Sequence, residues 1–161
     1  MRRVMRMMIA ALFVLGSVGT AQAQVIRFTA NLTGNQETPA VLTGAFGTAT
    51  VTLDLGTQVL TWNIDVFNMP SGTNNAHFHV GPPGVAGPTV VNISFPSNIS
   101  NDFNLSGTAT ATNLNLPGGA AQGIRSWEDF MQSLMGGQIY INIHSAVNAG
   151  GEIRGQVLRV P

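Results

Sequence analysis

Cysteine and lysine are both absent from this 161-residue chain, charged residues make up only 9%, and there is a single tyrosine. Each shortage excludes something. Without cysteine no disulfide can hold the fold, and thiol catalysis and thiolate metal ligation are closed. Seven arginines stand against seven acids, for a formal net charge of zero. No basic surface is therefore available to neutralise a phosphate backbone or an anionic membrane, and nucleic acid is excluded as a partner. A charged fraction far below the roughly 25% of ordinary soluble domains also argues against long solvated helices and coiled coils. No G-x-S-x-G, H-E-x-x-H or phosphate-loop pattern occurs, which disfavours hydrolase and nucleotide chemistry.

What is present begins with a leader. Arg2, Arg3 and Arg6 precede an apolar run from Met7 to Val18, and Ala21-Gln22-Ala23 follows. Basic residues, a short apolar stretch and an A-x-A site in that order read as a secretory signal peptide over residues 1–23. The apolar run falls short of the roughly 18–20 residues that a membrane span requires. Cleavage after Ala23 is expected to leave residues 24–161 as one domain, secreted or periplasmic, with no membrane span once the leader is removed. That domain would keep four arginines against seven acids, a net charge of −3.

Along residues 24–161, apolar and polar residues alternate between turn signals, the pattern of half-buried antiparallel strands. Val25 to Leu32 places Ile26, Phe28, Ala30 and Leu32 on one face; Gly47 to Leu55 alternates threonines with Ala49, Val51 and Leu53. After a turn at Gly56-Thr57, the next run places Leu60, Trp62, Ile64 and Val66 inward. Asn75 to Val80, Thr89 to Phe95, Phe103 to Leu114, Gln138 to His144 and Glu152 to Val160 complete about eight strands. The fold class is all-β: an antiparallel β-sandwich or Greek-key barrel. One segment changes period. Trp127, Phe130, Met131 and Leu134 recur at helical spacing between a Ser126 cap and Gly136, which predicts one short helix over 126–135 packed on the sheet.

The chemistry-bearing residues are the three histidines. Residues i and i+2 of a strand share a face, so His77 and His79 project together, away from Ala76, Phe78 and Val80. His144 lies opposite Ile139, Ile141 and Ile143, on the side of Tyr140 and Asn142. Three imidazoles with an open position suit copper or zinc, and the Irving–Williams order favours copper. The same pattern fits a surface pair tied to loops, with His144 ordering the turn that follows it. Glu37 has two readings: a carboxylate near the histidines, or an acceptor of backbone hydrogen bonds that holds its loop. Glu152 and Arg154 share a strand face and are placed to pair.

The chain resembles the CHRD domain, first described as a repeat in chordin and found singly in secreted bacterial proteins. The likeness rests on Leu32-Thr-Gly34-Asn-Gln-Glu37-Thr-Pro39, the Gly47-Thr-Ala-Thr strand, Ala76-His77-Phe-His79 with its Gly-Pro loop, and Ile141-Asn-Ile-His144 through Gly155-Gln156. It implies an extracellular or periplasmic β-sandwich. A weaker similarity is to Cu,Zn superoxide dismutase, where an H-x-H strand and a later strand-end histidine hold copper near an arginine. That similarity implies copper ligands at His77, His79 and His144, and an anion-guiding Arg154. No further histidine exists to bridge copper to zinc, so a zinc-bridged dismutase site is excluded by residue count. The favoured reading is a noncatalytic binding or matrix module for a protein or glycan partner, carrying a mononuclear copper site. The competing reading is a small copper-dependent redox enzyme.

Overall fold

A computed structural model describes residues 24–95 and 101–161. The leader at residues 1–23 lies outside the described residues, as does the 96–100 segment. Strands β1 (Val25–Thr33), β2 (Phe46–Asp54) and β3 (Val59–Phe67) form an antiparallel meander in which the expected apolar residues point inward. The β2–β3 turn is held by the Asp54 carboxylate, which accepts from the backbone N–H groups of Gly56 and Thr57 at 2.8 and 3.0 Å. Strands β4 (Asn75–Val80), β5 (Thr89–Asn92), β6 (Phe103–Ala109), β7 (Ile139–His144), β8 (Ile153–Gln156) and β9 (Leu158–Arg159) follow.

The main sheet runs β5-β4-β7-β8-β1-β2-β3-β6, with β9 a short addition on β1. Its ends nearly meet: Leu114, just beyond β6, bridges to Val91 of β5, and the Asn115 N–H donates to the Val90 carbonyl at 2.8 Å. The architecture is thus an all-β, barrel-like antiparallel sheet of eight strands plus a small ninth. Near-closure leaves few unpaired strand edges, so the backbone polar groups of a cysteine-free domain are satisfied by the sheet itself.

Three expected strands are shorter than the alternation predicts: the Thr89–Phe95 run ends at Asn92, and two others are cut by local structure. The Phe103–Leu114 run ends at Ala109 because Thr110 and Asn113 form a reciprocal cap that starts a 3-10 turn at Ala111–Asn113. Asn115 then caps a one-turn helix, α1 (Leu116–Gly119), by accepting from the Gly118 N–H. The Glu152–Val160 run is interrupted at Val157, whose side chain is buried and whose N–H bonds the Ile139 carbonyl.

The expected helix is α2 (Trp127–Met135). Ser126 accepts from the Asp129 N–H, and Trp127, Phe130, Met131 and Leu134 face the core. Trp127 also donates its indole N–H to the Gln58 carbonyl at 2.8 Å, joining the helix to the β2–β3 turn. Inside the barrel Trp62 meets Phe78 edge to face, with ring centroids 5.3 Å apart. Room for that indole comes from Gly107, where a Cβ would stand 2.6 Å from the Trp62 ring. Among the described residues, no helix is long and apolar enough to cross a membrane.

Candidate metal centre

Strands β7 and β8 differ from the others in being buried on both faces. Ile139, Ile141 and Ile143 point into the barrel, so Tyr140, Asn142 and His144 point outward and yet are covered. The register with β4 sets Asn75 opposite His144, His77 opposite Asn142 and His79 opposite Tyr140. On the other flank Asn142 faces Arg154 and Tyr140 faces Gln156 of β8. A polar layer thus lies on the outside of this sector of the sheet.

The three sequence-predicted histidines come together in that layer. Their ring centroids are 5.0 to 6.1 Å apart, and one ring nitrogen from each lies within 4.8 Å of the other two. His77 Nδ1 is 3.1 Å from His144 Nε2. Nitrogens bound at about 2.0–2.1 Å to a common ion stand roughly 3–4 Å apart, so a modest inward movement would let all three reach one ion.

The tautomers follow from fixed acceptors. His79 Nδ1 lies 2.8 Å from the Gly87 carbonyl and His144 Nδ1 lies 2.9 Å from the Ala149 carbonyl. A carbonyl only accepts, so both Nδ1 atoms carry hydrogen, and in each neutral ring Nε2 keeps the lone pair. Hydrogen bonding of the non-ligating ring nitrogen to a carbonyl is the arrangement that orients metal-binding imidazoles. His77, half-buried, can offer Nδ1 once that atom is not donating to His144. Burial pushes the pKa of His77 and His79 down to about 4 and that of His144 down as well, and their mutual repulsion adds to the shift at His77 and His79. All three are neutral at pH 7, as ligation requires.

Arg154 is only 2% exposed. Its guanidinium donates to the Val85 and Pro82 carbonyls at 3.0 and 2.9 Å, approaches Gln156 Oε1 at 3.4 Å, and lies 3.5 Å over the Tyr140 ring centroid. On its other flank Tyr140 stacks with His79 at 5.0 Å and 14°. Gln156 adds bonds from Nε2 to the carbonyls of Gly81, Gly137 and Ile139 at 2.8–3.1 Å. The Gly-Pro loop at 81–88 is therefore fastened onto the sheet, and its Gly87 carbonyl accepts from both His79 and the Tyr140 hydroxyl. The expected pairing of Arg154 with Glu152 does not form. The Glu152 carboxylate instead accepts from the Ser145 hydroxyl and the Asn148 amide, both at 2.6 Å, and so shapes the 145–151 turn that carries the Ala149 carbonyl.

Glu37 reaches across from the loop after β1. Its Oε2 is 3.5 Å from Asn142 Nδ2, while Glu37 Oε1 and Asn142 Oδ1 are both buried without hydrogen-bond partners. The two bare oxygens converge on Gly151 (φ +139°), where a Cβ would stand 2.6 and 2.5 Å from them; only glycine fits there. Burial raises the Glu37 pKa to about 7, against the opposing pull of Arg154 and the Asn142 amide. A carboxyl hydrogen is the donor this pair of acceptors lacks. Sequence reasoning placed Glu37 and Arg154 among the polar candidates but missed the parts played by Tyr140, Asn142 and Gln156. Their signal was present as polar residues on the non-core faces of β7 and β8.

The family model described as the CHRD domain matches residues 28–157. No curated protein and no solved structure matches the chain.

Proposed function

The chain belongs to the CHRD-domain family, and on that premise we propose that it is an exported binding or matrix module carrying one mononuclear copper site. His77, His79 and His144 are the ligands, export is directed by the leader at residues 1–23, and the partner is a protein or glycan. One observation carries the metal assignment: two of the three rings give Nδ1–H to carbonyls of ordered loops, which leaves Nε2 as the lone-pair nitrogen of each, and all three rings bring a nitrogen within 4.8 Å of one another. Imidazole donors alone suit both copper and zinc, and at equal availability copper binds more tightly. Copper bound there would present an open coordination position to a small donor ligand.

The alternative reading is a copper-dependent redox enzyme of dismutase type. The contacts of Arg154 support the binding module instead, because a guanidinium buried against loop carbonyls is not presented to an incoming anion. Its role in this reading is to fasten the loop that orients His79.

The test is Cu(II) stoichiometry and affinity of the purified protein beside His77→Ala and His144→Ala. About one tightly bound Cu(II) per chain is expected, as for a three-imidazole site, with the tight phase lost in each variant. Unchanged affinity in both variants would remove the site assignment.

A further inference from the structure

On the far side of the barrel from the histidines, β1, β2, β3 and β6 lie side by side in continuous register. Their outward residues form a grid. The middle row reads Thr29, Thr50, Asn63, Ser106 across the four strands, about 14 Å at about 4.8 Å per strand. The neighbouring rows, two residues along each strand in either direction, bring the total to twelve positions, of which ten are Thr, Asn or Ser and only Arg27 and Asp65 are charged. An outward sheet face without lysine or glutamate lacks the charged groups with which sheets usually discourage association.

Three further features shape this face. A depression of about 170 Å³ lies over Thr29, Asn31, Thr48, Thr50, Asn63 and Asp65. At its border the Asn104 amide donates to Asn63 Oδ1 at 3.0 Å and to Asp65 Oδ1 at 2.8 Å, fixing three polar side chains in advance of any ligand. One row further along, Phe46 and Phe67 stack with centroids 5.2 Å apart and remain 45% and 39% exposed. They extend the same outward face, because Phe46 and Phe67 are register partners in phase with Thr48 and Asp65.

We propose that this face is a platform for a neutral polysaccharide, whose hydroxyls are met by the Thr, Asn and Ser grid and whose apolar sugar faces rest on the Phe46–Phe67 pair. A sugar hydroxyl both donates and accepts, which matches hydroxyl and amide side chains that do the same. The C–H face of a pyranose is met by an exposed aromatic ring that needs no polar partner of its own. A polyanion finds one arginine on this grid, at a corner of one outer row with the aspartate in the other, and an apolar partner finds the whole grid needing desolvation. The inference goes beyond the copper reading and does not depend on it.

Native electrophoresis of the full chain in gels containing hydroxyethyl cellulose, glucomannan, dextran or heparin tests it, with mobility taken relative to a plain gel. Retardation by at least one neutral polymer and not by heparin is expected. Phe67→Ala and the exposed Thr50→Arg should each weaken the effect roughly tenfold, the scale of losing one central contact, while thermal melts confirm that both remain folded. His144→Ala should be retarded as the parent is, which separates this surface from the metal site. Absence of retardation in all three neutral polymers, retardation by heparin alone, unaltered retardation of either platform variant, or loss in His144→Ala overturns the proposal.

Discussion

Replacing Arg154 by Ala probes the fastening of the 81–88 loop. The side chain makes two short charge-assisted hydrogen bonds, to Val85 and Pro82, and covers the Tyr140 ring. Bonds of this kind contribute about 1.5–3 kcal/mol each, and a desolvated cation over an aromatic ring about 1–2 kcal/mol. Against this stands the cost of burying the guanidinium, several kcal/mol even after relaxation, which the variant no longer bears. Water entering the vacated space would also satisfy part of the carbonyls left behind. The expected net loss is about 2–4 kcal/mol in urea unfolding. At roughly 3–5 °C per kcal/mol for a domain of this size, the melting temperature should fall by about 10 °C. Arg154→Lys should recover little, since one ammonium cannot span two carbonyls and a ring as a planar fork does. Copper affinity should fall about 10–100-fold, as when an outer hydrogen-bond partner of a metal ligand is disturbed, because the Gly87 carbonyl that orients His79 belongs to this loop. A stability loss under about 1 kcal/mol with copper affinity unchanged would refute the reasoning.

Stability of the metal-free protein should depend on pH with two opposing signs. His77 and His79 titrate near 4 in the folded chain, below the ordinary imidazole value of 6.5, so the unfolded chain binds more protons between those values and stability falls as pH drops from 6.5 toward 4. Glu37 is raised to about 7, so its folded form holds a proton the unfolded chain releases, and this contribution is lost as pH climbs from 4.5 through 7. Glu37→Gln should therefore stabilise the protein at pH 8 relative to the parent and steepen the rise in stability between pH 4.5 and 6.5; urea midpoints at pH 4.5, 6.5 and 8 report both. Gly107→Ala should cost about 1–3 kcal/mol through overpacking against Trp62, seen as a lower urea midpoint with an unchanged slope; a change below about 0.5 kcal/mol would show that the indole has room to move.

Strand alternation made most of the barrel legible, because each of β1, β2 and β3 has one dry face and one wet face. The same rule placed His77 with His79, and His144 opposite its isoleucines. Alternation says which residues share a face, and nothing about what covers it. The layer over β7 is made by the 81–88 loop, the 34–42 segment and the 145–151 turn, whose Gly, Pro and Asn content carries no period. Arg154 therefore reads as a partner of Glu152 or an anion guide beside a metal, when its partners are carbonyls of a loop some seventy residues earlier in the chain. Glu152 read as its partner by the same shared face, while the turn between β7 and β8 folds back and takes that carboxylate for itself. The end of β6 was hidden for a related reason: Thr110 and Thr112 suit a strand, and only the Asn113 side chain reaching back to the Thr110 N–H stops it.

Tyr140 is the only tyrosine in the chain, and it is pressed between the His79 imidazole and the Arg154 guanidinium with its hydroxyl at Gly87. That position makes it a built-in optical label. Both tryptophans lie elsewhere, Trp62 inside the barrel and Trp127 on α2, so near-ultraviolet signals assigned to the phenol report the local state of the histidine cluster and its loop without any added probe. Titrating an ion into the cluster, releasing the loop through Arg154 and unfolding the barrel should each alter the phenol's absorption and dichroism in a distinct way, and one cuvette can follow all three.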